Sequence, residues 1–184
     1  DAAVRASCAR HPTKSTRGAL IREIETEGMT VRGVHEVMSG LLVRKGCLTK
    51  NRPDKQAEAD IRRGVEVALA LGRLDVGQAA VVQQGLVLAV EGIEGTDELL
   101  RRSGGYKRKG AGGVLVKLRK PQQDMRIDLP TVGLQTVKRA KESGLRGIAV
   151  HAGNGLIVDE AEVVRLADKE GLFVIGVDPS DYAE

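Results

Sequence analysis

The sequence is poor in aromatic residues and in cysteine. It has no tryptophan, one phenylalanine and two tyrosines among 184 residues, so its core must be built from aliphatic and small side chains. Surfaces that stack the bases of single-stranded nucleic acid need aromatic rings, which argues against that class of protein. The two cysteines, Cys8 and Cys47, are far apart and have no histidine at metal-ligand spacing. Neither a zinc site nor a disulfide framework is indicated, and a reducing compartment fits.

The chain also lacks a long hydrophobic run. No apolar stretch approaches the roughly 20 residues that a membrane-spanning helix needs. A hydrophobic content of 41% and a charged content of 29% are instead typical of a folded protein with room for one domain. The net charge of +4 favours anionic partners, although the charges are interspersed along the chain. The 23 glycines predict tight turns and close backbone approaches, such as those around a phosphate.

The first third of the chain has helical periodicity in two places. Residues 1–15 show no pattern, and we expect an irregular arm or the remnant of an upstream segment, followed by one α/β domain over residues 16–184. Apolar residues around Ile21 predict a helix that Gly28 ends, and residues 29–34 predict a short strand. The longest helix is predicted over residues 53–71.

The remaining sequence predicts a hairpin followed by alternating helices and strands. Two apolar runs, 79–82 and 86–91, are separated by Gln83-Gln84-Gly85, which is typical of a hairpin turn. Further helices are predicted to begin near Glu94, at Pro130 or Thr131, and at Asp159, the last with a capping box to Glu162. Strands are predicted over 114–118, 147–150 and 172–177. The sequence thus predicts an α/β fold with a mixed β-sheet, a central hairpin and helices packed on the sheet.

Several familiar catalytic signatures are absent. Residues 110–113 are rich in glycine but precede a strand, whereas a dinucleotide-binding fingerprint follows one, so they are predicted to form a turn. His35-Glu36 resembles the start of a zinc-protease helix, but Ser39 stands where its second histidine belongs. No cysteine or histidine has the partners of a nucleophilic site.

Acidic and amide residues cluster at predicted strand ends and helix starts. One cluster comprises Asp75, Gln78, Gln83, Gln84, Glu91, Glu94, Thr96 and Asp97. A second comprises Asp124 and Asp128, with Lys117, Lys120, Gln123 and Arg126 nearby. Together such residues can neutralise a diphosphate, ligate a divalent cation and orient a water molecule. The alternative needs no ligand: Asp128 caps its helix, Asp97 complements a helix dipole, and the lysines are solvated.

Six segments of the chain, in the same order, resemble the LpxI-type UDP-2,3-diacylglucosamine pyrophosphatases. They are LDVGQ (74–78), VVQQG (81–85), VEGIEGTD (90–97), GVLVK (113–117), KPQQDMRIDLPTVG (120–133) and GLFVIG (171–176). The resemblance runs from about Leu20 to Val177. It implies hydrolysis of the pyrophosphate bond of UDP-2,3-diacylglucosamine to UMP and 2,3-diacylglucosamine 1-phosphate in lipid A synthesis, with Mg²⁺ or another divalent cation such as Mn²⁺.

The same resemblance implies roles for individual residues. Asp128, Asp124 and Glu94 are the expected catalytic residues, and Asp128 and Asp124 the expected metal ligands. The expected substrate-binding residues are Gln83, Gln84, Thr96, Asp97, Lys117, Gln123 and Thr131. His151 departs from the family pattern, because an acidic residue is expected there.

Members of that family carry another α/β domain upstream, with the substrate held between the two, whereas this chain is expected to begin near their junction, so that half of the cleft is missing. We therefore keep a second hypothesis, a non-catalytic module that binds a nucleotide sugar or an acyl lipid. A small-molecule substrate is expected and nucleic acid is not. The acyl chains of the substrate suggest a cytoplasmic protein with peripheral contact to the inner membrane, and a homodimer is a further expectation.

Overall fold

The computed structural model describes residues 14–121, 125, 126 and 128–182. The predicted irregular arm falls mostly on residues 1–13, which lie outside the described residues. Within the described residues the strands are β1 Gly46–Cys47, β2 Ala79–Gln83, β3 Leu86–Val90, β4 Val114–Lys117, β5 Thr131–Val132, β6 Gly147–His151, β7 Leu156–Ile157 and β8 Phe173–Val177. The α-helices are α1 Lys14–Thr26, α2 Val34–Val37, α3 Lys55–Arg73, α4 Thr96–Gly104, α5 Leu134–Glu142 and α6 Glu160–Glu170. Two 3₁₀-helices span Ser39–Leu41 and Pro179–Tyr182.

Six strands form one mixed sheet in the order β1-β8-β6-β4-β2-β3. The three central strands β8, β6 and β4 are parallel, whereas β1 on one side and the β2–β3 hairpin on the other run antiparallel to their neighbours. Strands β5 and β7 form a separate parallel pair. The predicted mixed α/β sheet is confirmed, and the predicted hairpin forms at one side of it, with β3 as the edge strand.

Helices cover both faces of the sheet. On one face, α3 buries Ile61 and Val65 against Val116 and Phe173. On the other face, α4, α5 and α6 contribute a second cluster of aliphatic side chains around Leu115 and the other inward residues of the sheet. The central parallel strands are buried on both sides and read as continuous apolar runs for that reason. No helix among the described residues is both long enough and apolar enough to cross a membrane.

The hairpin turn is built as its sequence predicts. Gln84 and Gly85 have φ angles of 54° and 75°, the left-handed pair that a two-residue type I′ turn requires. The turn is fixed by Asp60 of α3, whose side chain is buried and accepts hydrogen bonds from the backbone N–H groups of Gln84 (3.1 Å) and Gly85 (2.7 Å). Helix α3 and the hairpin are therefore joined by a carboxylate.

Replacing Asp60 by alanine should lower the free energy of unfolding by about 2 kcal/mol, since two turn N–H groups lose their acceptor. Urea unfolding of the variant measures this loss. Gln56→Ala is the matched control, because it removes only the 3.2 Å bond from the Gln56 amide to Asp60. It should cost about 0.5 kcal/mol. Equal losses in the two variants would show that the turn does not depend on Asp60.

Three local predictions are wrong. Residues 29–33 form no strand but an irregular segment that leads into α2, where the Gly33 N–H donates to Glu36 (3.0 Å). The helix expected from Pro130 or Thr131 begins only at Leu134, because Thr131 and Val132 pair with β7 instead.

The third wrong prediction is the capping box at the start of α6. Asp159 has a left-handed backbone (φ 56°) and its side chain makes no capping hydrogen bond. Glu162 binds Arg165 instead, at 2.6 Å. The capping role considered for Asp128 also fails, because α5 starts at Leu134 with Gly133 at its N-cap.

Candidate functional site

The parallel strands β4, β6 and β8 end side by side at one edge of the sheet. Their last residues are Lys117, His151 and Val177, and the register pairs Lys117 with Val150 and His151 with Val177. Strand β2 runs the opposite way and begins at the same edge, where Ala79 pairs with Lys117. We call this the carboxyl edge. In open α/β sheets, ligands bind outside the carboxyl ends of the parallel strands.

Lys117 is a nearly buried cation at the carboxyl edge, with 7% of its surface exposed. Its Nζ donates a hydrogen bond to the backbone oxygen of Thr131 at 3.1 Å. Burial lowers the pKa of Lys117 below its usual 10.5, while the carboxylates of Glu91, Asp97 and Asp128 act in the opposite direction. Three carboxylates from different parts of the chain thus act electrostatically on one nearly buried ammonium group.

Glu91 is the member of this group that the predicted set of site residues omitted. It follows β3, is 5% exposed, and accepts hydrogen bonds from the Gln78 N–H (3.1 Å) and the Thr96 hydroxyl (2.6 Å). Gly77 is packed so closely that an added Cβ would lie 2.0 Å from the Glu91 carbonyl oxygen. A buried acid directly after an apolar strand, inside a segment that resembles the family, was the signal that could have identified it.

The Glu94 carboxylate interacts with Arg102 and with the Gly92 backbone. Its carboxylate forms an ion pair with Arg102 and accepts a hydrogen bond from the Gly92 N–H at 3.1 Å. Hydrogen bonds from its own backbone N–H, from Arg102 and from Gly92 lower the pKa of Glu94 below its usual value. The contacts of the Glu94 carboxylate are with Arg102 and the Gly92 backbone, and a catalytic role for Glu94 stays a prediction.

Asp97 and Thr96 begin helix α4 beside the carboxyl edge. Asp97 forms an ion pair with Arg139 at 3.1 Å in addition to its electrostatic effect on Lys117. Thr96 holds Glu91 through its hydroxyl. Asp97 therefore acts on the buried cation directly and Thr96 acts on it through Glu91, while their predicted substrate contacts stay predictions.

Gln83 and Gln84 lie at the opposite edge of the sheet. Strand β2 runs from Ala79 at the carboxyl edge to Gln83, which is fully buried. The Gln83 amide donates to the carbonyl oxygens of Arg108 (3.0 Å) and Ala111 (2.7 Å) and accepts from the Arg108 N–H (2.9 Å). Gln84 donates to the Lys109 carbonyl at 2.9 Å. These amides hold the loop that contains residues 110–113, and the structure does not bring them to Lys117.

The segment between β4 and β5 carries the remaining predicted residues. Asp128 is half-buried and acts electrostatically on Lys117. Thr131 is exposed, with its hydroxyl donating to the Leu129 carbonyl at 3.1 Å, and its own carbonyl receives Lys117. Gln123 and Asp124, predicted for substrate and metal binding, lie outside the described residues.

The acidic side chains near Lys117 would supply only some of the ligands of a divalent cation. Within the described ranges, no group of three or more His, Cys, Asp or Glu side chains is arranged to hold a metal ion. Mg²⁺ is usually bound by one or two carboxylates, with water and substrate phosphates supplying the other oxygens. The half-buried carboxylate of Asp128, beside a buried ammonium, fits this kind of donor set.

Comparison with known proteins agrees with the segments quoted above. The family model described as the LpxI C-terminal domain matches residues 44–175. The chain is 46% identical over 168 residues to the UDP-2,3-diacylglucosamine pyrophosphatase LpxI of Caulobacter vibrioides. That alignment covers 88% of this chain and 60% of the relative, so the chain spans about three fifths of the relative's length. With a family model that matches residues 44–175 and a relative of this similarity, the chain belongs to the LpxI family.

Proposed function

We propose that this chain forms one wall of a site that hydrolyses the pyrophosphate bond of UDP-2,3-diacylglucosamine. The products would be UMP and 2,3-diacylglucosamine 1-phosphate, intermediates of lipid A synthesis. The observation that supports this most directly is the buried Lys117 among three carboxylates at the carboxyl edge. The name of the Caulobacter relative supplies the substrate.

The chemistry required is attack by water on a phosphorus atom of the diphosphate. A bond forms from the water oxygen to that phosphorus, the bridging P–O bond breaks, and the bridging oxygen leaves with the second phosphate. The water proton passes to a base. Lys117 would stabilise the charge that accumulates on the phosphate oxygens, and a cation in a nearly buried site does so more strongly than one in water.

We include a divalent cation, Mg²⁺ or Mn²⁺, in this proposal. Asp128 would hold it, with Asp124 as a second ligand from the part of the loop that is not described. Such a cation supplies charge neutralisation at the diphosphate. Glu91 would keep Lys117 in place, because its own two oxygens already accept hydrogen bonds from Gln78 and Thr96.

The test is to incubate the chain with Mg²⁺ and UDP-2,3-diacylglucosamine and to measure UMP. We expect UMP release that EDTA abolishes, either from this chain alone or after it is joined to the rest of the Caulobacter relative. No UMP in either form would overturn the hydrolase proposal. Substrate binding without UMP, insensitive to EDTA and to Asp128→Ala, would favour a non-catalytic binding module instead.

Location and assembly belong to the same proposal. A substrate with acyl chains is drawn from a membrane, so we propose a cytoplasmic protein that contacts the inner membrane peripherally. A homodimer is also proposed. Flotation with lipid vesicles and light scattering, respectively, would measure these two properties.

A further inference from the structure

The two residues that follow β4, Leu118 and Arg119, are held by hydrogen bonds on opposite sides of the chain. Directly after Lys117, the Leu118 N–H donates to the Gln78 carbonyl at 2.8 Å, on the side of β2. The next N–H, that of Arg119, points to the other side and donates to Nδ1 of His151 at 3.3 Å. Successive N–H groups of a strand point to opposite neighbours. The segment after Lys117 therefore continues the strand pattern beyond the last paired residue of β4.

A side chain receives the second of these N–H groups because the neighbouring backbone has turned away. After His151, the chain bends through a turn in which Gly153 has a left-handed φ of 66° and the Asn154 N–H returns to the His151 carbonyl at 3.3 Å. Strand β6 thus offers no further carbonyl oxygen to Arg119. The imidazole of His151 takes the place of that carbonyl.

Only one form of the imidazole can accept this hydrogen bond. Nδ1 must lack a proton, so the neutral ring carries its proton on Nε2. Nε2 lies 3.4 Å from the amide nitrogen Nδ2 of Asn154, and reversing that amide about its Cβ–Cγ bond would present Oδ1 as the acceptor of the Nε2 proton. A doubly protonated imidazolium would place a donor against the Arg119 N–H and break the contact.

The charged groups around His151 come from three elements. Arg119 follows β4 and Asp178 follows β8, while Lys45, which precedes β1, lies 4.0 Å from Asp178. Burial and the positive charge of Arg119 lower the pKa of His151 below its usual 6.5, and Asp178 opposes them. The ring is therefore neutral at physiological pH, in the form that can accept from Arg119.

We propose that His151 is a positioning residue: by accepting the Arg119 N–H at Nδ1, it fixes the start of the loop that carries Asp128 back to Lys117. This loop connects β4 to β5, and Lys117 itself binds its far end at the Thr131 carbonyl. Losing the His151 contact would loosen one end of the loop while leaving the residues that face the diphosphate chemically unchanged. The inference rests on the proposed function, since it names what holds that site together.

Two variants of His151 separate the effect of the hydrogen-bond acceptor from the effect of side-chain size. His151→Asn keeps an acceptor, because its Oδ1 lies the same number of bonds from Cβ as Nδ1 does, but it cannot titrate. His151→Leu removes the acceptor. The direct readout is the hydrogen-exchange rate of the Arg119 amide by NMR. We expect it to rise about tenfold in the leucine variant and to stay within about threefold in the asparagine variant.

The dependence on pH gives a second readout. In the unsubstituted protein the Arg119 amide should lose protection as the pH falls below 6.5, through the lowered pKa of His151. The unfolded chain binds a proton first in this range, so stability also falls as the pH decreases. His151→Asn should show neither change from this group. Asn154→Ala is the matched control, because it alters only the Nε2 side of the ring.

Function is measured as turnover and, independently, as calorimetric binding of magnesium pyrophosphate. The leucine variant should lower kcat, or pyrophosphate affinity where there is no turnover, by about tenfold, and the asparagine variant should restore most of it. Unchanged Arg119 exchange in the leucine variant would overturn the inference. So would indistinguishable binding and turnover in the two variants. Failure of the proposed hydrolase would show separately, as absent UMP with the Arg119 exchange pattern intact.

Discussion

Lys117→Met is expected to reduce hydrolysis of UDP-2,3-diacylglucosamine by about 10²- to 10³-fold, the usual cost of removing one preorganised charge-stabilising donor. Methionine keeps most of the length of the side chain and removes only the charge and the donor. Because Lys117 is nearly buried and lies among Glu91, Asp97 and Asp128, no solvent cation can replace it at the same place. Initial rates of UMP release measure the loss.

The same substitution should cost little stability. The pKa of Lys117 is lowered in the folded protein, which means that the cost of burying the ammonium exceeds the attraction of the three carboxylates. Methionine removes that cost along with the attraction, so we expect the free energy of unfolding to change by no more than about 1 kcal/mol. A large loss of stability would show that Lys117 is a structural ion-pair partner and would weaken the proposed role.

Lys117 should make the free energy of unfolding depend on pH in a direction that can be measured. Between the lowered pKa of Lys117 and the value of 10.5 for an exposed lysine, the unfolded chain binds more protons than the folded one. The stability contribution of this group therefore rises as the pH increases through that range. Urea unfolding at several pH values should show this rise in the unsubstituted protein and not in Lys117→Met. Lys138→Met, at an exposed position of α5, is the matched control and should leave both rate and pH profile unchanged.

Asp128→Asn is expected to reduce hydrolysis by a similar factor, about 10²- to 10³-fold, by removing a carboxylate while preserving its shape. Two effects act together. A hard anionic ligand for the proposed cation is lost, and one of the three carboxylates that raise the pKa of Lys117 disappears. The lysine would then lose its proton at a lower pH than in the unsubstituted protein.

Calorimetry with magnesium and pyrophosphate should separate these two effects. If Asp128 is a ligand, Asp128→Asn weakens Mg²⁺ binding at saturating pyrophosphate, whereas Lys117→Met weakens pyrophosphate binding at saturating Mg²⁺. Asp159→Asn serves as the control, since asparagine tolerates the left-handed backbone at that exposed position. Unchanged magnesium affinity in Asp128→Asn would remove this residue from the metal site.

The regular elements could be predicted wherever a local pattern was long enough or a turn had its own sequence signal. Helix α3 follows from apolar residues at helical spacing, and it begins after Asp54, whose side chain accepts from the Ala57 N–H at 2.9 Å. The hairpin follows from two apolar runs around Gln84-Gly85. Short apolar runs were less informative. Residues 29–33 have strand-like composition but no neighbouring strand among the described elements, and a strand without a partner leaves its backbone groups unpaired.

The candidate site, too, was predictable from the sequence only in part. The sequence selected Lys117, Asp97 and Asp128 because their segments resemble the family, and in the structure both carboxylates act electrostatically on the lysine. Their roles at a site stay predictions. The sequence also grouped Gln83 and Gln84 with these residues, since in the sequence they lie close to Glu91. The antiparallel hairpin sends these glutamines to the opposite edge of the sheet, where their amides hold the loop at 108–111.

The sequence by itself determined the fold class, the family and most of the residue types at the carboxyl edge, because periodicity and motif order are properties of short segments. Tertiary structure alone decided which of those residues meet. Strand direction placed Glu91 and not Gln83 beside Lys117, and the bend after β6 left His151 to accept the Arg119 N–H. Both outcomes depend on hydrogen-bond pairing between segments far apart in the chain, and a local pattern does not contain that information.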